Sequence, residues 1–237
     1  MVAMLKAVAL LGGDMFQALG VHGPVLTPFA SALMDIALVS LAFVFFVGGS
    51  RTNRMTMGML ATLVVAIAAL RVLMQPLPNV QPLTVAALLV GAHLGARRGV
   101  AFAILATLLS NLLISHGWWT LFQAAGWSLV ALIGARANLV QNNHLQLPRL
   151  AVLSVVSALL FGFVSTMSLV TSTMTPSAFM VLLGQGLPFD VVHALGNLVF
   201  VVWMAPSLHH FLSGLAASEN ELLAAVSYTH LTLPTKA

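Results

Sequence analysis

Asp190, His193 and Asn197 recur at i, i+3 and i+7, so in a helix all three share one face. A carboxylate and an imidazole at that spacing suit proton transfer or ligand binding. Asp190 also follows Pro188 by two residues, where it would equally serve a helix start by capping free amides, leaving His193 and Asn197 to tie helices together. Arg71 stands alone in an otherwise apolar run. A charge at mid-membrane costs about 2.5–3.5 kcal/mol, so it needs a partner such as Asp190, an anionic ligand, or a route to the interface by snorkelling. Trp119, Gln123 and Trp127 recur every four positions, giving stacking faces with an amide between them. That stripe suits a flat, ring-rich ligand, and it suits an interfacial aromatic belt as well.

The elements that must position these groups are apolar helices. Of 237 residues 60% are hydrophobic and 6% charged, against roughly 25% charged in a soluble domain, and mean hydropathy is +1.04. The long continuous apolar runs favour helices over barrel strands, which alternate in short segments. The expected fold class is therefore all-α: a polytopic transmembrane bundle with a six-helix unit and one or two extra N-terminal apolar helices. Zero cysteines remove disulfides, thiolate metal sites and a cysteine nucleophile. No P-loop, H-E-x-x-H or G-x-S-x-G occurs, and neither a metal site nor a cofactor is expected. The excess of Lys and Arg is scattered singly or in pairs between apolar runs, which fits cytoplasmic loops and excludes a nucleic-acid surface.

Four regions are expected in order: an extra N-terminal hydrophobic segment over 1–50, the six-helix unit over 51–212, a cytoplasmic tail over 213–225, and a terminal stretch over 226–237. The last resembles translated sequencing-adapter read-through and is left out of the functional reading, His230 included. Residues 1–20 read as a weak or interfacial helix, since no small-residue cleavage pattern follows, and 31–49 as a span with Asp35 facing protein. Six spans follow, at 56–75, 83–95, 99–115, 120–135, 150–172 and 189–207. Arg51, Arg54, Arg97, Arg98, Arg136 and Arg149 lie in alternate loops, and 76–82, 116–119 and 173–188 carry no Lys or Arg. Both ends of the unit are thus expected in the cytoplasm. The second span, held between Pro82 and Gly95, is too short to cross about 30 Å of hydrocarbon. Either the 76–82 loop dips inward or neighbours shield the helix, which places a pocket beside Asn79 and Gln81. Gly58, Thr62 and Ala66 form a small-residue stripe on the first span, for internal packing or for docking another membrane subunit.

The order Arg71, Pro78-Asn79-Val80-Gln81-Pro82, Gly91, Gly95, Ser110-Asn111, Gly117-Trp118-Trp119-Thr120-x-x-Gln123-x-x-x-Trp127, Gly134 and Pro188-x-Asp190-x-x-His193-x-x-x-Asn197 resembles the substrate-binding S components of energy-coupling factor (ECF) vitamin transporters. Trp118 stands where that family usually has proline. The resemblance covers about residues 52–212, and the pairing of its two outer loops is most similar to the cobalamin-type branch. It implies a non-enzymatic protein of the prokaryotic cell membrane that captures a vitamin at its outer face. It further implies a transmembrane coupling (T) subunit and two ATPase subunits as partners. Arg71, Asn79, Gln81, Asn111, Trp119, Thr120, Gln123, Trp127, Asp190, His193 and Asn197 are the expected ligand contacts, with enclosure between the 76–82 and 173–188 loops. Gly58, Thr62 and Ala66 are the expected docking face. The alternatives are a membrane-embedded enzyme using His193 with Asp190, and a scaffold subunit without a ligand.

Overall fold

The structure, a computed structural model, describes residues 16–20, 23–47 and 54–231. Seven helices dominate them: α1 (Pro28–Val47), α2 (Arg54–Leu73), α3 (Leu83–Ile114), α4 (Trp119–Arg136), α5 (Leu147–Thr166), α6 (Pro176–Trp203) and α7 (Ala205–Leu231). The protein is an all-α bundle, and five of the helices, α1, α2, α3, α5 and α6, are long and apolar enough to cross a membrane. Two short hairpins are the β structure among the described residues, β1 (Phe16–Gly20) with β2 (Gly23–Leu26) and β3 (Val140–Gln141) with β4 (His144–Leu145). Asn142 and Asn143, both at positive φ, close the second in the two-residue turn that Asn favours.

α3 is two helices joined at Gly95, whose φ of 81° and ψ of 170° break the helical path. Only glycine adopts that conformation without strain. The chain doubles back there, because Gly99 packs against the backbone of Gly91, eight residues earlier, where a straight helix would hold them about 12 Å apart. The expected basic turn at Arg97 and Arg98 is therefore the tip of a helical hairpin. Its first arm is the short helix, and it is shielded rather than stretched: Leu83 through Val90 are each 0% exposed. Close approach of α4 makes that enclosure possible. A Cβ on Gly134 would strike the Leu88 carbonyl, and one on Gly91 the Ala131 carbonyl.

α1 supplies one of the extra N-terminal helices; it packs on α3, and Asp35 meets His116 Nε2 at 3.0 Å, so Asp35 faces protein. Residues 16–20 form a strand instead of continuing a weak helix, while 1–15 and Arg51 lie outside the described residues. The expected 173–188 loop and the helix start after Pro188 are both corrected. α6 begins at Pro176, capped by the Thr175 hydroxyl on the Ala178 amide, and runs through Pro188. Apolar surroundings make an open backbone expensive, and an interior proline, which frees a single carbonyl, costs less there than a loop that would leave many groups unmet. Beyond a break at Met204, α7 is a further helix where a tail was expected; it buries Leu208, Leu212 and Leu215, one face at helical spacing.

Replacing Gly134 with Ala should cost about 1–3 kcal/mol through overpacking, whereas Gly58→Ala, with open space around the new methyl group, should stay within roughly 0.5 kcal/mol. Thermal unfolding in detergent separates the two, and equal melting points would refute the close α3–α4 crossing.

Candidate functional site

Arg71 ends α2 and turns its guanidinium inward, where it is 6% exposed. Four neutral acceptors hold it. Nε donates to Gln81 Oε1 at 2.8 Å, Nη1 to Ser110 Oγ at 2.6 Å and to Asn111 Oδ1, and Nη2 to Gln123 Oε1 at 3.2 Å. The Trp127 ring lies beneath, 4.7 Å from the guanidinium carbon, a cation–π contact. Snorkelling is thereby excluded, and so is the Asp190 partnership, for no carboxylate lies within 4 Å of Arg71 among the described residues.

Each acceptor sits where the fold delivers it. Ser110 and Asn111 lie in the last turns of the returning arm of α3, Gln123 one turn into α4, and Gln81 in the 76–82 loop just before the buried arm. Asn111 spends its amide nitrogen on Thr120 Oγ1 and Gln123 Oε1, both at 2.9 Å, so Thr120 holds the network from behind. Asn79, at a φ of 55° that Asn tolerates, donates to the Phe189 carbonyl at 2.9 Å and pins the loop to α6. Behind Arg71, Thr84 Oγ1 accepts from Trp127 Nε1 at 3.0 Å and meets His193 Nε2 at 2.8 Å. Trp127 is fully buried and stacks on Phe161, whose edge contacts the His193 ring.

A cavity of about 360 Å³ opens on this network, walled on one side by Arg71, Asn111, Trp119 and Gln123 and on the other by Ser165, Thr166 and Ser168. A smaller one of about 100 Å³ lies between Arg71, Asn79 and Gln81. Nine of the eleven expected site residues thus belong to one connected assembly: Arg71, Asn79, Gln81, Asn111, Trp119, Thr120, Gln123, Trp127 and, through Thr84, His193. The other two do not join it. Asp190 lies mid-helix against Gly162 of α5, so it is no cap, and Asn197 donates to the Ser154 carbonyl at 2.9 Å, deep in the α5–α6 seam. Their i, i+7 spacing spreads them along α6, and antiparallel packing carries Asn197 away from the cavity. Ser110 enters the sequence reading only beside Asn111 and not as a site residue, and Thr84 and the wall residues Ser165, Thr166 and Ser168 carry no motif of their own; small hydroxyl residues in apolar runs are indistinguishable from packing residues until the helices are placed.

Thr84→Val would strand the Trp127 N–H and one His193 nitrogen, so a loss of about 1–3 kcal/mol is expected in detergent unfolding, with Thr84→Ser recovering most of it. A neutral Thr84→Val would mean that the hydroxyl is not the junction described.

No curated protein and no solved structure matches the chain. A family model matches residues 50–217, from the entry to α2 into α7, so that α1 and the first hairpin lie outside the match. Over that core, which contains every residue of the Arg71 network, the chain belongs to a family of unknown function (DUF6580).

Proposed function

We propose that this protein is the substrate-binding S component of an ECF-type transporter, capturing a vitamin and passing it through a shared coupling module. The observation that carries this reading is the cavity at Arg71. It lies at the end of the bundle opposite Arg97, Arg98, Arg136 and Arg149, which by the positive-inside rule is the outer end, with the basic end in the cytoplasm. Its volume falls at the small end of ligand pockets, which range over roughly 300–1,000 Å³. That size suits a small vitamin better than the corrinoid suggested by the outer-loop resemblance. Trp119 supplies a ring face at the wall, and the amides and hydroxyls around it supply orientation.

Three further features support the assignment over a membrane enzyme. His193 is fully enclosed, bonded to Thr84, and does not line the cavity; Asp190 does not line it either. A catalytic pair built from them would have no substrate within reach of the cavity. Gly58, Thr62 and Ala66 are exposed along α2, with Thr62 Oγ1 turned back onto the Gly58 carbonyl at 3.0 Å. A smooth outward stripe of this kind fits a T subunit carrying the two ATPases, with the bilayer around the remaining apolar surface.

Protein purified in mild detergent from cells grown in rich medium should release a stoichiometric vitamin on denaturation, identified by mass spectrometry. An empty protein with no thermal shift across a vitamin panel would sink the reading. Trp119→Ala should weaken binding by at least about tenfold without loss of expression. Ala66→Trp should leave binding unchanged yet abolish uptake in cells, and normal uptake by that variant would remove the docking face.

A further inference from the structure

The Arg71 network leaves specific valences open. A guanidinium has five N–H donors, and the four bonds to Gln81, Ser110, Asn111 and Gln123 occupy four of them, leaving one on Nη2. Gln123 Oε1 accepts from both Arg71 and Asn111. Those two donors fix which way the amide points, so Gln123 Nε2 is the end left over, without a partner among the described residues. Across the cavity, Ser165 Oγ is a buried hydroxyl that also lacks one. Water could fill the vacant donors, but it brings no counter-charge. The acceptors around Arg71 are all neutral, and a buried cation held only by dipoles is costly when its opposite charge is missing.

Resting on the reading of this cavity as a ligand pocket, we infer that its ligand is a small molecule with one carboxylate, whose two oxygens accept from Arg71 Nη2 and Gln123 Nε2 while its apolar part lies on Trp119. The chemistry selects a carboxylate over a phosphate. Arg71 is the single charged side chain in the wall, so a monoanion neutralises the site, whereas a phosphate dianion would leave net negative charge in a low-dielectric surround. Two donors from neighbouring side chains also match the two oxygens of one carboxylate. Arg71 is already oriented by four bonds, so little ordering remains for an anion to impose on binding.

The test uses benzoate and benzamide, which share a ring and differ in charge, titrated by thermal shift against the full chain in detergent and chloride-free buffer. Benzoate should act at concentrations at least about tenfold below benzamide. Equal midpoints, a preference for benzamide, or no shift by either up to tens of millimolar would overturn the inference. Gln123→Glu, isosteric with the native side chain, places a carboxylate beside Arg71; it should raise the melting temperature and erase the benzoate preference. A lower melting temperature, or a preference that survives, counts against a missing counter-charge. The two readings fail separately: a benzoate preference in a protein that neither releases nor binds any vitamin would leave the anion site standing and remove vitamin capture. A bound vitamin with no acid-over-amide preference would do the reverse.

Discussion

A buried guanidinium without a carboxylate is the constraint on which the cavity end of this bundle depends. Arg71 cannot shed its charge and, once turned inward, must be met by oriented dipoles. Gln81, Ser110, Asn111 and Gln123 come from the 76–82 loop, the returning arm of α3 and α4, so one side chain fastens three separate parts of the chain to α2. Asn111 and Thr120 then orient the acceptors, and the Trp127 face closes the site from below. Such a network is worth most when every member is present, because each unmet polar group in an apolar interior carries its own desolvation cost.

The network can exist because the backbone beneath it is packed to contact. The first arm of α3 is surrounded on all sides, and glycines at 91, 99 and 134 let α4 and the two arms approach until a methyl group would clash with neighbouring backbone. Small residues at helix crossings are the general means of tight association in a membrane, where lipid offers no hydrophobic drive between helices. That rigidity reaches the site through Thr84, the second residue of the enclosed arm, which links Trp127 on α4 to His193 on α6. The wall formed by Ser165, Thr166 and Ser168 contrasts with it. It stands where the last residues of α5 pass directly into a 3₁₀ turn over Met167–Leu169.

α6 shows where local signals mislead. Pro188 reads as a helix boundary, and the residues before it as a loop, because in water a proline and two glycines make a good stop. In an apolar setting the cost of unmet amides outweighs the cost of one missing bond, so the helix runs on from Pro176. Asp190, read as a cap, becomes a mid-helix group against Gly162. α7 was likewise hidden, since its polar residues lower its mean hydropathy even though Leu208, Leu212 and Leu215 recur on one inward face.

From the amino-acid order alone, the helical class, most of the spans, the basic turn at Gly95 and nine members of the assembly, out of eleven residues named, were legible. Those features are carried by composition, charge placement and short spacings, all local along the chain. Tertiary structure alone decided which polar groups meet. That Arg71 is inward rather than snorkelling depends on acceptors 10, 39, 40 and 52 positions away. That Asn197 serves a helix seam while His193, four residues earlier, reaches Trp127 through Thr84 depends on the antiparallel register of α5 and α6. Periodicity places a residue on a helix face; only the neighbour packed against that face determines whether it lines a cavity or fills a core.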